Sequence, residues 1–506
     1  MTKILPYQLN LSPALPVVLG NKDYLDSEQL LHRINEMLCI GNIDSLFIRL
    51  CFEKWQSELS ESKKKELSAT TIADFNEESS KAIRTVILKS LLGFSFRELS
   101  RQLAQCPLYR WFCGMETLGP IRVPGKSVLQ EYANRLPAEM METVITQVIL
   151  LASEADGPKA VNPLYLKNEI ELDTIWMDST CVKTNIHFPV DWVLLRDGVR
   201  TLMKATILIR NHGLKHRMVE PAWFMKKVNG LAMEMCANRW QIDSKKKQKK
   251  TFRKIKDIVK LVKSHAVRHR ALLEKEWETT DWSYKQAMRV INRIDGVVTL
   301  LPEAAKQAHE RIIGERLVAN KEKILSLYER ETRVLVRGKA GAEIEFGNSL
   351  LITEQVDGII IDWKLHKEIA PGDSKQVKGT LERIEKHFGE DIIKGLGTDR
   401  GFASKANDEL LEEKNIYNGI CPKSPKQLEA KKHSGKFQKI QNRRAQTEGR
   451  IGILKNKFMQ GLMKSKGFER REIEVGWHIL THNLWVLARL ETTKESVSSL
   501  PLEEAA

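Results

Sequence analysis

Runs that read as strands fall in two widely separated stretches of this 506-residue chain, and that separation limits the sheets it can build. The first stretch, LDTIWMDSTCVKTNIHFP, carries β-branched and apolar residues in short runs and reads as two strands around Asp178. The second begins at Ala342, where IEFGNSLLITE and GIIIDWKLHKEI form strands joined by a Val356-Asp357-Gly358 turn. DIIKGLGTDRGF adds a short strand ending at Asp399, and IYNGICPK another. Between the two stretches, from Trp192 to about Arg333, long amphipathic runs with few turn signals predict helix. A sheet drawing on both stretches has to close across that whole helical segment.

The flanking segments are helical as well. Ser80 to Leu92 places Ile83, Val86, Ile87 and Leu91 at helical spacing, and Gly93 closes the run. Ser95-Phe96-Arg97-Glu98 then supplies a capping box ahead of Leu99 and Leu103. Two helices about a short turn suit a helix-turn-helix, with Arg97 a DNA contact, and suit an ordinary helical hairpin equally well. Another helix starts at Ser127 and stops at Pro137, and residues 377–388 and Lys405 to Lys414 form two more. A basic, turn-rich segment from Lys423 to Lys439 leads into a helix carrying Glu448, and Val475 to Leu490 is a further apolar-rich helix. The closing KESVSSLPLEEAA reads as loose. The chain divides into a helical N-terminal region (1–165), a region containing the sheet (166–490) and a tail (491–506), with the middle region interrupted at about 192–335.

Charge points to a class of partner. Lys and Arg number 81 against 65 Asp and Glu, a net charge of +16, which suits a polyanion bound through its phosphates. The densest block is SKKKQKKTFRKIK, in which Lys245, Lys246 and Lys247 are candidate DNA contacts; a solvated helix face is the plain alternative. Seven scattered cysteines form no C-x-x-C pair, which excludes a zinc ribbon or disulfide framework and fits a reducing compartment. The first twenty residues lack the basic start and unbroken apolar core of a secretory leader. No run approaches the ~20 apolar residues of a membrane span, so a soluble, cytoplasmic protein is expected.

Three acidic residues stand in settings that carry chemistry. Asp178 follows the apolar run Thr174-Ile175-Trp176-Met177, Asp399 follows a glycine-spaced strand, and Glu448 lies on a helix. Carboxylates at strand ends and on a neighbouring helix can converge on one side of a mixed sheet and offer the oxygen ligands that Mg²⁺ prefers. Two such ions, ~3.5–4 Å apart, would activate an attacking oxygen and stabilise a leaving one in phosphoryl transfer. Any one of these acids taken alone is more often a turn or surface residue. Arg444 lies four positions before Glu448 and Lys455 seven after it, which returns both to one helix face.

With these residues the chain resembles bacterial insertion-sequence transposases of the branch with a Y-R-E-K signature, which carry an Asp-Asp-Glu site on an RNase H-like fold. Arg444, Glu448 and Lys455 match the signature's intervals, whereas Gln441 stands where its Tyr belongs. Asp178-Ser179-Thr180 with the later Asn185-Ile186, Pro189 and Leu194-Leu195 resembles the family's first-Asp segment. Glu345 to Val377 resembles its central strands, TDRGFAS its second-Asp motif, and SFRELSRQLAQCPLYRWFCGME its DNA-binding region. The resemblance implies an α+β, helix-rich fold with an RNase H-like mixed sheet and an N-terminal helical DNA-binding region. Such a core needs far fewer than the 221 positions that separate Asp178 from Asp399, so the excess reads as a large helical insertion after the second strand. The resemblance also implies Asp178, Asp399 and Glu448 as catalytic residues holding two Mg²⁺, or Mn²⁺ in their place. Arg444 and Lys455 would contact the backbone of double-stranded DNA, and a homodimer would pair two element ends. A catalytically inactive DNA-binding regulator, and a nuclease of the same fold, are the alternative readings.

Other patterns carry less. His265 and His269, like His478 and His482, are spaced i, i+4 but lack the glutamate of a zinc helix motif, so they read as structural. No phosphate-binding G-x-x-x-x-G-K-[ST] loop is present. Trp477 and Trp485 are candidates for base stacking, though core packing is the commoner use of such residues.

Overall fold

A computed structural model describes residues 15–154, 162–238, 242–339 and 342–493. The first fourteen residues of the segment weighed as a leader, and the closing segment read as loose, lie outside the described residues. The chain is mixed α/β and mostly helical, built on one six-stranded mixed sheet. Its strands are β1 (Thr174–Lys183), β2 (Arg333–Lys339), β3 (Ala342–Glu354), β4 (Ile360–Leu365), β5 (Gly395–Thr398) and β6 (Tyr417–Ile420). β1 lies between β3, antiparallel to it, and β5, parallel to it; β6 continues parallel beyond β5. β3 is long enough to take two partners along its far edge, β4 against Leu350 to Glu354 and β2 against Ala342 to Gly347.

Several elements differ from the sequence reading for local reasons. The stretch around Asp178 is a single ten-residue strand, not two, and Asp178 sits in its middle. Continuous antiparallel pairing with β3, from Trp176 to Lys183, carries the strand through the polar Asp178-Ser179-Thr180 step. β2 was not foreseen, because Arg333 and Lys339 at its ends mask the short run Val334-Leu335-Val336. The segment from Lys423 to Lys439 is largely helical. Pro425 sits in the first turn of Pro425–Lys432, where its fixed φ suits a helix, and the Ser434 side chain caps Gly435–Ile453 by accepting from the Phe437 amide. The helix begun near Ser127 is short, Lys126–Tyr132, and Pro137 precedes a new one, Ala138–Ser153. The turn at Gly93 forms as read: Gly93 takes φ +71° at the end of Ala69–Leu92, and the Ser95 side chain accepts from the Glu98 amide to start Phe96–Gln105.

Two apolar cores result. The larger joins the N-terminal helices, the sheet and the Phe468–Leu487 helix, so residues such as Ile87, Val144, Leu350 and Leu480 belong to one buried cluster. The smaller is enclosed by four helices, Asp191–Asn211, Pro221–Ala237, Ser244–Glu276 and Tyr284–Ile312, through Leu202, Phe224, Phe252, Val262 and Leu301. These helices are inserted between β1 and β2, directly after the first strand rather than after a second. Asp191 at their entry accepts from Gln307 (2.9 Å) and from Arg311 (2.7 Å) near their exit. Among the described residues no helix is long and apolar enough to cross a membrane.

Where the inserted helices return to the sheet, a fully buried cation joins three parts of the chain. Arg471 of the C-terminal helix donates to Asn348 on β3 (2.6 Å) and is ion-paired with buried Glu329 of the returning segment. Glu329 also accepts from the Gly467 amide. Removing one partner of such a pair strands the other charge out of water, at a cost of about 3–5 kcal/mol. Arg471→Ala should therefore lower unfolding stability by about that amount in urea titrations, and a loss below ~1 kcal/mol would contradict the role assigned to the pair.

Candidate active site on the sheet

The site begins with a strand register. β1 and β5 run parallel with Trp176 opposite Gly397. Two residues further on, β1 reaches Asp178 and the chain leaving β5 reaches Asp399, still extended at φ −75° and ψ 177°. Side chains alternate every second residue, so both carboxylates leave at one level on the face shared by Trp176 and Gly397. Each is held by a local amide: Asp178 Oδ1 accepts from the Ser179 N–H (2.7 Å) and Asp399 Oδ1 from the Gly401 N–H (2.8 Å). Asp373, in the turn after Pro371-Gly372, reaches the same place. A Cβ on Gly401 would lie 3.0 Å from Asp399 Oδ1 and 3.1 Å from Asp373 Oδ2, so glycine there lets the two acidic turns pack together.

The helix that carries Glu448 covers this face. The Trp176 indole N–H donates to the Ile440 carbonyl (2.9 Å). A Cβ at Gly397 or Gly419 would sit 2.5 or 2.7 Å from Ile440 Cγ2, so two glycines at matching positions of β5 and β6 admit the helix. Gln441, in place of the signature tyrosine, donates to the carbonyls of Thr398 (3.1 Å) and Gly419 (2.6 Å) and plugs the ends of both strands. Further along, Arg443 donates to Glu354 (2.9 Å) and to the carbonyls of Gln355 and Val356 (2.9 Å each), and its guanidinium lies over the Trp176 ring. Thr447 donates to the same Glu354 oxygen (2.8 Å). Glu354 is opposite Trp176 in the β1–β3 register, so this buried acid ties the helix to the strand beside Asp178.

Glu448 is exposed, seven residues beyond Gln441 and so on the same side of the helix. Arg444 is half-buried between them, with its Nε buried and without a hydrogen bond among the described residues. The α-helix ends at Ile453 and continues as a π-helical turn, Leu454–Phe458, so half-buried Lys455 follows a change of helical pitch. The strand register thus places Asp178 and Asp399 at one level on one face of the sheet. The structure does not assemble Asp178, Asp399 and Glu448 into one ligand set: among the described residues no three His, Cys, Asp or Glu side chains are gathered closely enough to hold a metal ion. The two aspartates supply oxygen donors of the kind Mg²⁺ takes, and Glu448 would have to close on them to complete the set.

The other candidates lie elsewhere. Arg97 is exposed in the first turn of Phe96–Gln105. Lys245, Lys246 and Lys247 are exposed at the start of Ser244–Glu276, and Lys245 is engaged by Glu315 at 2.8 Å. Trp477 is core, its N–H donating to the Ala133 carbonyl, while Trp485 is half-buried between Lys457 and Arg489. Sequence reasoning passed over Arg443 and Glu354. The available signal was an acid closing the apolar run Ser349-Leu350-Leu351-Ile352-Thr353, where burial requires a cationic partner. No family model, curated protein or solved structure matches the chain.

The histidine pairs are core residues. His269 lies against the His265 carbonyl, and burial lowers the pKa of both rings. His478 is bonded to Ser90 (2.6 Å), and burial takes it and His482 down to about 4. Unfolded, each imidazole takes a proton near 6.5, so the folded state binds fewer protons between the two values. Stability is then full above pH ~6.5 and falls as the pH drops toward 4. His482→Gln should flatten that fall in urea titrations across this range, and an unchanged slope would contradict a buried neutral imidazole.

Proposed function

We propose that the chain is a transposase of the Asp-Asp-Glu type, built on an RNase H-like core, which cuts the ends of an insertion sequence and joins them to target DNA. The observation that carries this reading is the shared level and face of Asp178 on central β1 and Asp399 at the end of its parallel neighbour. Strand order supports it: β4, β3 and β1 are successively antiparallel, and β5 and β6 follow parallel to β1. A helix bearing an acid and flanking cations crosses the same face, as the Y-R-E-K resemblance implies. The excess of basic residues supports a DNA partner.

On this reading Asp178, Asp399 and Glu448 hold Mg²⁺, which supplies Lewis-acid activation of the attacking oxygen and charge relief at the leaving one. The protein's own residues position the reactants. Arg444 and Lys455 contact backbone phosphates, Gln441 and the Arg443–Glu354 pair fix the helix against the sheet, and the Gly401 amide orients the Asp399 carboxylate. Two element ends must be paired, so a dimer on DNA belongs to the proposal.

The test is a cleavage assay with Mg²⁺ on a plasmid carrying the DNA that flanks the gene. Wild type should nick the element ends. Glu448→Gln, Asp178→Ala and Asp399→Ala should each abolish nicking while leaving end binding within about threefold, because they remove ligands and not DNA contacts. Undiminished cleavage by all three variants would overturn the assignment. Binding without cleavage by wild type would favour an inactive DNA-binding protein.

A further inference from the structure

The inserted helices hold nearly all of the chain's excess charge. Between Asp191 and Thr332 there are 31 Lys and Arg against 17 Asp and Glu, or +14 of the total +16. Most of it lies on one helix, Ser244–Glu276, where 13 Lys and Arg face only Asp257, Glu274 and Glu276. One side of that helix, with Phe252, Ile255, Val259, Val262, Ala266 and Leu273, is buried in the core of the insertion. On the opposite side, at about 100° per residue, Lys246, Lys250, Arg253, Lys254 and Arg268 fall within one third of the circumference, with Lys260 at its edge. All six are exposed, and among the described residues none has an ion pair. The stripe is interrupted by Asp257, Leu261 and Ser264.

A face that serves only to keep a helix in water mixes both signs. This one sets like charges three and four residues apart, where they repel, and starts at a helix N-terminus, where the macrodipole disfavours cations. Lys245 and Lys249 show the ordinary remedy, since both are paired with Glu315 at 2.8 Å. Among the described residues the six stripe cations lack that remedy, and a polyanion lying along them would supply it.

We infer that the outer face of Ser244–Glu276 is a duplex-DNA surface that grips the phosphate backbone without reading sequence, making the helical insertion a DNA-holding arm. From Lys246 to Arg268 the stripe spans ~33 Å, about ten base pairs of duplex. This moves the centre of contact from Lys245–Lys247 to the middle of the helix, and it assigns no apolar partner surface to the insertion. It adds a second DNA-contact surface to the proposed function, but binding by the stripe needs no cleavage.

The experiment measures binding of the full chain to a labelled duplex of roughly 30 base pairs and arbitrary sequence across a salt series. The combined Lys250→Ala, Arg253→Ala, Lys254→Ala and Lys260→Ala variant removes exposed charges only, and its folding is checked by thermal unfolding. It should bind at least about tenfold more weakly near 0.1 M salt, with the slope of log K against log salt reduced by ~3–4. A control with the same charge loss, Lys226→Ala, Lys227→Ala, Lys285→Ala and Lys306→Ala on the neighbouring helices, should stay close to wild type. Equal losses in both variants, or none in the first, would overturn the inference. So would a loss confined to the gene's own flanking sequence, or a change in oligomeric state by sedimentation with DNA binding intact. Salt-dependent binding through the stripe by a protein that never cuts would leave this inference standing and remove the proposed function instead.

Discussion

The close approach of the Gly435–Ile453 helix to the sheet is the constraint on which the site depends. Ile440 rests where β5 and β6 have no side chains, over Gly397 and Gly419, and the Trp176 indole is bonded to its carbonyl. From that contact the helix is oriented by buried charge: Arg443 and Thr447 converge on Glu354, which pairs across β1 with Trp176. The same strand carries Asp178 two residues later, so the packing that buries Trp176 also sets the level of the carboxylate beside the helix. A larger residue at either glycine would lift the helix, and with it Gln441, Arg444 and Glu448, off the ends of the strands.

A second constraint follows from inserting four helices inside a sheet. The central strand is separated from its antiparallel partner by the whole insertion, so the two ends of the insertion must be held together before the sheet can close. Asp191 with Gln307 and Arg311 ties entry to exit. Glu329, Asn348 and Arg471 then fasten the returning segment to β3 and to the C-terminal helix. Because the insertion has its own apolar core, it can present a strongly basic exterior without exposing apolar area from the main core. The N-terminal helices follow the opposite arrangement and share the core of the sheet, with Trp477 packed near Phe47 and bonded to Ala133.

What could be read from the sequence was governed by how local the determining interaction is. The β3–β4 hairpin, the helix at residues 377–388 and the Gly93-to-Ser95 turn rest on neighbouring residues, and they form where the pattern put them. β1 looks like two short strands in the sequence because its polar middle is sustained by pairing with β3 residues about 170 positions away. β2 and the helix at Pro425–Lys432 are not legible locally, because charged residues hide the one and Pro425 in a basic, turn-rich segment hides the other. At the site, the parallel register that sets Asp178 beside Asp399 arises from strands far apart in sequence. For the Arg443–Glu354 pair the local pattern marks Glu354 as an acid in need of a cation, but nothing in it names Arg443 as the partner.

The central claim is that Asp178 and Asp399 face one another's space as a pair of oxygen donors, with Glu448 joining them. The most direct measurement is Mn²⁺ binding by the full chain, followed by the loss of the free-ion paramagnetic signal, for wild type and for Asp178→Asn and Asp399→Asn. The account predicts saturable binding by wild type that each substitution weakens at least about tenfold, since each removes a charged ligand from one site. Binding that is unchanged in both variants would contradict it, because the ion would then be held by other residues and the shared face would have no chemical role.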